Sequence, residues 1–145
     1  MLSQKEVERL HYGLLSHIKL QGDLEFQALS ELSSKFTLRT VPSGHTLWDL
    51  SSSNGDLNFI LEGTFAEYLQ RGSHSFILRF QRPGKFAFSE DLLLYSKHSD
   101  TFCKALSHAK VASLPSVHFQ DALRQGGLGA KLMEALINLS MTEYR

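Results

Sequence analysis

The sequence has one cysteine, Cys103, so no disulfide can close within the chain. It has no excess of charge of either sign. Lysine plus arginine and aspartate plus glutamate number 15 each. A balanced chain carries no global field to draw in a nucleic-acid backbone or an acidic membrane. No direct DNA binding by this chain alone is therefore expected. No apolar run approaches the ~20 residues that a membrane-spanning helix needs. The first residues, MLSQKEVERLHYG, carry glutamates where a signal peptide would need an apolar core. The expected location is the cytoplasm. No phosphate loop of the P-loop type is present, and the serines of GSHS do not sit in a G-x-S-x-G elbow. No enzyme signature stands out.

What is present fits an ordinary globular protein. The 145 residues suggest one domain, 1–145, long enough to bury roughly 70% of its unfolded surface. Hydrophobic residues make up 42% and charged residues 21%, the usual balance for a soluble chain.

Residues 1–35 read as helical. Ser3 and Glu6 have the spacing of a capping box. Val7, Leu10, Leu14 and Ile18 then lie on one stripe, which Gly22 breaks. Leu24, Ala28, Leu29 and Leu32 predict a second short helix behind Asp23. From 36 to 114 short strand-like runs alternate with turns: 36–41, 45–48, 57–61, 64–70, 75–81, 101–106 and 110–114. Phe76, Leu78 and Phe80 alternate with Ile77 and Arg79, as in a half-buried strand. Glycines 44, 55, 63, 72 and 84 fall where tight turns want positive φ. Residues 115–145 return to helix. Pro115 and Ser116 open a short one, Gly126 and Gly127 interrupt it, and Leu128, Leu132, Leu136 and Leu139 mark a long last helix. The expected fold is mainly β with flanking helices, a jelly roll (double-stranded β-helix) between helical ends.

Specific residues then match a family. "SNGDLNFILEGTFAEYL" (53–69), "RPGKF" (82–86), "FSEDLLLY" (88–95) and "LPSVHFQDAL" (114–123) resemble the cyclic-nucleotide-binding domain of Crp/Fnr-type bacterial transcription regulators. The resemblance runs over nearly the whole chain, with one extra residue near Ala87. It implies a regulatory domain that is not an enzyme. Such regulators carry a helix-turn-helix domain after the long helix, and no such pattern lies before Arg145. The resemblance also implies a possible cyclic nucleotide or other small effector, and a possible homodimer through Leu128, Leu132, Leu136 and Leu139.

In the family, the cassette after the RPGKF-like turn holds the cyclic phosphate. A glutamate there takes the ribose hydroxyl, an arginine pairs with the phosphate, and a helix N-terminus faces the anion. Here Ser89 stands at the glycine, Glu90 at the glutamate and Ser99 at the arginine. The implied pocket is Phe88, Ser89, Glu90, Asp91 and Leu92 on one side, and Ser99, Asp100 and Thr101 on the other. A charge-assisted hydrogen bond is worth roughly 1.5–3 kcal/mol, so the missing arginine costs about tenfold to over a hundredfold in affinity. Asp91 and Asp100 add negative charge near the anion position. Lys97, Lys104 or a protonated His98 could compensate, without arginine's bidentate fork. The pocket therefore reads as degenerate, not binding cyclic AMP in the usual way.

Two alternatives stand beside this one. The fold could serve as a ligand-free interaction or scaffold domain. It could also be a cupin-like metalloenzyme, though the seven histidines show no pair one residue apart followed by a glutamate. Cys103 reads as a buried packing residue, and Trp48 as packing at the barrel rim with base stacking as the lesser option.

Overall fold

A computed structural model of the chain describes residues 1–50, 56–89, 100–124 and 126–142. Helix α1, Gln4–Leu15, begins with the expected capping box. The Glu6 amide donates to Ser3 Oγ at 3.2 Å, and the Ser3 amide donates to Glu6 Oε1 at 2.8 Å. The helix stops at Leu15, well before Gly22, so Ile18 enters the core from the connecting segment. Helix α2 spans Gly22–Ser34, with Gln21 at its N-cap and Asp23 already in its first turn. Its buried face runs through Leu29, Leu32 and Ser33. At 100° per residue, Leu24 points about 140° away from Leu29, and it is exposed instead of joining the stripe.

Eight strands follow: β1 Thr37–Val41, β2 Thr46–Trp48, β3 Leu57–Glu62, β4 Phe65–Arg71, β5 His74–Gln81, β6 Phe86–Ala87, β7 Thr101–Ala105 and β8 Ala109–Leu114. They form two antiparallel four-stranded sheets, ordered β1-β8-β3-β6 and β2-β7-β4-β5. All seven runs read from the sequence are strands; the short β6 was not among them. Gly44, Gly63, Gly72 and Gly84 have positive φ, and Gly55 lies outside the described residues. At Gly63 the need is double. Its φ is +92°, and an added Cβ would stand 2.6 Å from the His108 carbonyl oxygen. Arg39 on β1 ties the sheets by donating to the Leu47 and Thr46 carbonyls on β2 at 3.2 and 3.3 Å.

The sandwich interior holds Val41, Leu47, Trp48, Ile60, Phe65, Ala87, Cys103, Ala105, Ala109 and Val111. The other face of the first sheet carries Leu57, Phe59, Leu61, Ala112 and Leu114, and the helices cover it. Helix α3, Ser116–Leu123, and helix α4, Gly126–Thr142, complete that cover. Leu128, Leu132 and Leu136 are buried in the chain's own core beside Leu10, Leu14 and Phe86, and Leu139 packs at its margin. The stripe on α4 thus has an intramolecular partner. None of the described helices is long and apolar enough to cross a membrane.

One polar link holds α4 to α2. Lys131 Nζ donates to Glu25 Oε1 at 2.5 Å, with both side chains mostly covered. That hydrogen bond holds the Glu25 carboxyl below its ordinary value of 4.5, outweighing the opposing desolvation. A depressed carboxyl stabilises the fold at neutral pH and loses that contribution as pH falls through its folded value. The melting-temperature gap between wild type and Lys131→Met should be full at pH 7 and close below the ordinary value of 4.5. A gap that stays constant down to acid pH would show that the link carries no charge component.

Candidate functional site

The cassette leaves the first sheet at β6 and rejoins the second at β7. Glu90, Asp91, Leu92 and Ser99 lie outside the described residues, as do Lys97 and His98. The other four pocket residues are placed. Phe88 is half-buried against the helix-side core, and Ser89 is buried. Thr101 is buried on the inner face of β7, where Trp48 Nε1 donates to its Oγ1 at 3.2 Å. Trp48 is itself enclosed in the sandwich, so its faces are not presented as a stacking platform. Asp100 turns outward. It is exposed, Arg71 Nη1 donates to its Oδ2 at 3.3 Å, and its carbonyl accepts from the Gln70 amide. Lys104 alternates with the interior residues Cys103 and Ala105 and is exposed on the outer face. It does not reach the interior as a substitute clamp.

The interior nevertheless contains a guanidinium, that of Arg79 on β5. Phe76, Ile77 and Phe80 of β5 are 54%, 53% and 51% exposed, while Arg79 is half-buried and Gln81 buried. Period-two alternation identifies two faces but not which one is inside. The register resolves it. Glu67 lies opposite Cys103 on one side and Arg79 on the other, and Trp48 lies opposite Cys103. Trp48, Cys103, Glu67 and Arg79 thus form one row across the inner face of the second sheet. A register shift beyond Glu67 reverses the alternation along β5. The missed signal was in β4: Phe65, Glu67 and Leu69 share a face, which sets one acidic residue among apolar ones.

Arg79 Nε stands 3.6 Å from Glu67 Oε2, with side chains only 12% and 4% exposed. Burial pushes the Cys103 thiol upward, and the neighbouring Glu67 carboxylate adds to the shift. Cys103 is therefore a protonated packing residue, not a nucleophile. On the outer face, Tyr68 and Phe102 stack with ring centres 4.8 Å apart. Among the described residues, no three histidine, cysteine, aspartate or glutamate side chains gather closely enough to hold a metal ion.

No family model matches the chain, and no curated protein does. Solved structures do. A cyclic nucleotide-binding domain from Methylobacillus flagellatus KT is 19% identical, with a TM-score of 0.79 over 97% of this chain and 79% of that one. The Thermus thermophilus Catabolite Activator Protein is 19% identical, with a TM-score of 0.67 over 81% of this chain and 55% of that one. The regulatory subunit of a cAMP-independent protein kinase A from Trypanosoma brucei is 16% identical, with a TM-score of 0.70 over 90% of this chain and 44% of that one. The chain spans about half the length of the latter two. At these identities the likeness establishes the fold, which is the jelly roll of cyclic-nucleotide-binding domains.

Proposed function

We propose that this chain is a non-enzymatic regulatory domain whose effector pocket lies between 88–92 and 99–101, and that the pocket does not take cyclic AMP in the usual way. The carrying observation is the interior ion pair. A cyclic phosphate needs an uncompensated cation in a low-dielectric hollow. Arg79 is a cation on the inner face of the second sheet, and Glu67 stands against it. A phosphate would have to displace a carboxylate that is already in place. The fold accommodates such a departure, since one of its solved members is the regulatory subunit of a cAMP-independent kinase. The same reading takes 1–145 as one cytoplasmic domain. A homodimer on α4 would meet exposed side chains such as Ile137, because the leucine stripe is already covered.

A second reading, an interaction domain without an effector, draws support from β5. That strand lies at the edge of its sheet and exposes Phe76, Ile77 and Phe80. Edge strands of this kind are templates for partner binding.

Thermal shift against cyclic AMP, cyclic GMP and a wider nucleotide panel separates these readings. A ligand at about 100 times its Kd stabilises by ~2.7 kcal/mol, which raises Tm by several degrees in a chain of this size. The expected result is no shift with cyclic AMP. Micromolar cyclic AMP or cyclic GMP binding by calorimetry would overturn the degenerate pocket. Stabilisation by another compound supports the sensor, and none across the panel supports the interaction domain.

A further inference from the structure

Buried polar side chains persist where each is matched. In the first sheet, one such group spans three elements. Asn58, 1% exposed, lies on β3 opposite Ala87 of β6 and opposite Ser113 of β8. Its Nδ2 donates to the Ala87 carbonyl at 3.2 Å and to the Asp56 carbonyl at 3.4 Å. Its Oδ1 accepts from Ser113 Oγ. Two residues upstream, Asp56 Oδ1 accepts from the amide of Ser116, the first residue of α3, at 3.3 Å. Pro115 offers that helix no side-chain cap, so the carboxylate supplies it from a distant part of the chain. Helix α3 in turn packs Phe119 and Ala122 into the core shared with Leu128 and Leu132 of α4.

We infer that Asn58 is a positioning residue that joins the cassette entrance to the C-terminal helices. Ala87 immediately precedes Phe88 and Ser89, so any displacement of the cassette's first residues pulls on the Asn58 amide. The amide holds the backbone at Asp56, and the Asp56 carboxylate holds the N-terminus of α3. One hydrogen-bonded strap therefore connects the proposed pocket to α3 and, through packing, to α4. Its regulatory purpose rests on the effector reading above, whereas its geometry does not. An alanine at 58 would leave the Ser113 hydroxyl and the Ala87 carbonyl without this partner, and an isosteric leucine could make none of the three bonds.

Hydrogen exchange read by mass spectrometry on the full, ligand-free chain tests this. Asn58→Ala should speed exchange about tenfold in both 86–89 and 116–123, the scale of one lost buried hydrogen bond. Helix α1, at 4–15, should stay at its wild-type rate. Asp56→Ala should speed 116–123 and leave 86–89 unchanged. The double variant should match Asp56→Ala at 116–123 instead of adding to it, because both act through one path that ends at the Asp56 carboxylate. If Asn58→Ala proves too unstable to purify, Ser113→Ala removes a single contact, and a smaller increase at the same two segments is expected. Acceleration confined to 86–89, or equal acceleration in every segment, overturns the strap. No effector is present in this experiment, so a nucleotide panel that finds no ligand would sink the pocket reading and leave this result untouched.

Discussion

Glu67→Ala should lower the melting temperature by on the order of 10 °C. The carboxylate is 4% exposed and faces a guanidinium that is itself 12% exposed. Breaking a buried pair by removing one partner costs roughly 3–5 kcal/mol, because the remaining charge keeps its desolvation penalty and loses its counter-charge. In a chain of this length each kcal/mol moves Tm by about 2–4 °C. Glu67→Gln retains the shape and an acceptor oxygen and should fall between wild type and alanine. The decisive variant is the double replacement Glu67→Leu with Arg79→Met. Well-packed apolar residues often substitute for a buried ion pair at no net cost, so the double variant should recover most of what Glu67→Ala loses. Calorimetric melting of the four proteins reads all of this. A Glu67→Ala protein that melts with wild type would mean that the pair is not desolvated, and the case for a neutralised interior would go with it.

That pair shows where sequence reading succeeded and where it stopped. Local chemistry was legible. The Ser3–Glu6 box forms as spaced, and four turn glycines take the positive φ their turns demand. The helical ends and the seven strand runs were legible for the same reason: each is written in neighbouring residues. Facing was not. Alternation along 75–81 separates two sets of side chains, but only the partner strand says which set is inside. The partner decides it, because Glu67 on β4 draws Arg79 inward and leaves Phe80 on the outer face. The short β6 escaped because two residues carry no period, and it exists by pairing with Asn58 and Phe59. Of the implied pocket residues, Ser89 and Thr101 are buried, while Asp100 is turned out to Arg71. Asn58 went unnoticed because its partners lie 29 and 55 residues away.

Gly129→Ala should destabilise the protein although it places alanine in a helix. In an exposed helix interior this exchange gains up to about 1 kcal/mol. Here the environment decides otherwise. A Cβ on Gly129 would stand 2.2 Å from the Leu123 carbonyl oxygen, 2.6 Å from its carbon and 2.9 Å from its Cα. These are backbone atoms at the end of α3, so no side-chain rotation relieves the contact. The two helices must separate, and overpacking of this kind costs typically ~1–3 kcal/mol, occasionally more. Because Leu128 and Leu132 flank the contact and are buried, the displacement reaches the core they share with α1 and α2. Gly127→Ala on the same helix is the control. Its Cβ would meet only the Glu25 carboxylate at 3.4 Å, the end of a flexible side chain, so it should be neutral or slightly stabilising. A Tm difference of several degrees between the two alanine variants is expected. If Gly129→Ala melts with Gly127→Ala, the close approach of α3 and α4 is not a constraint on the fold. The signal route from the cassette to the last helix would then have no rigid joint at its end.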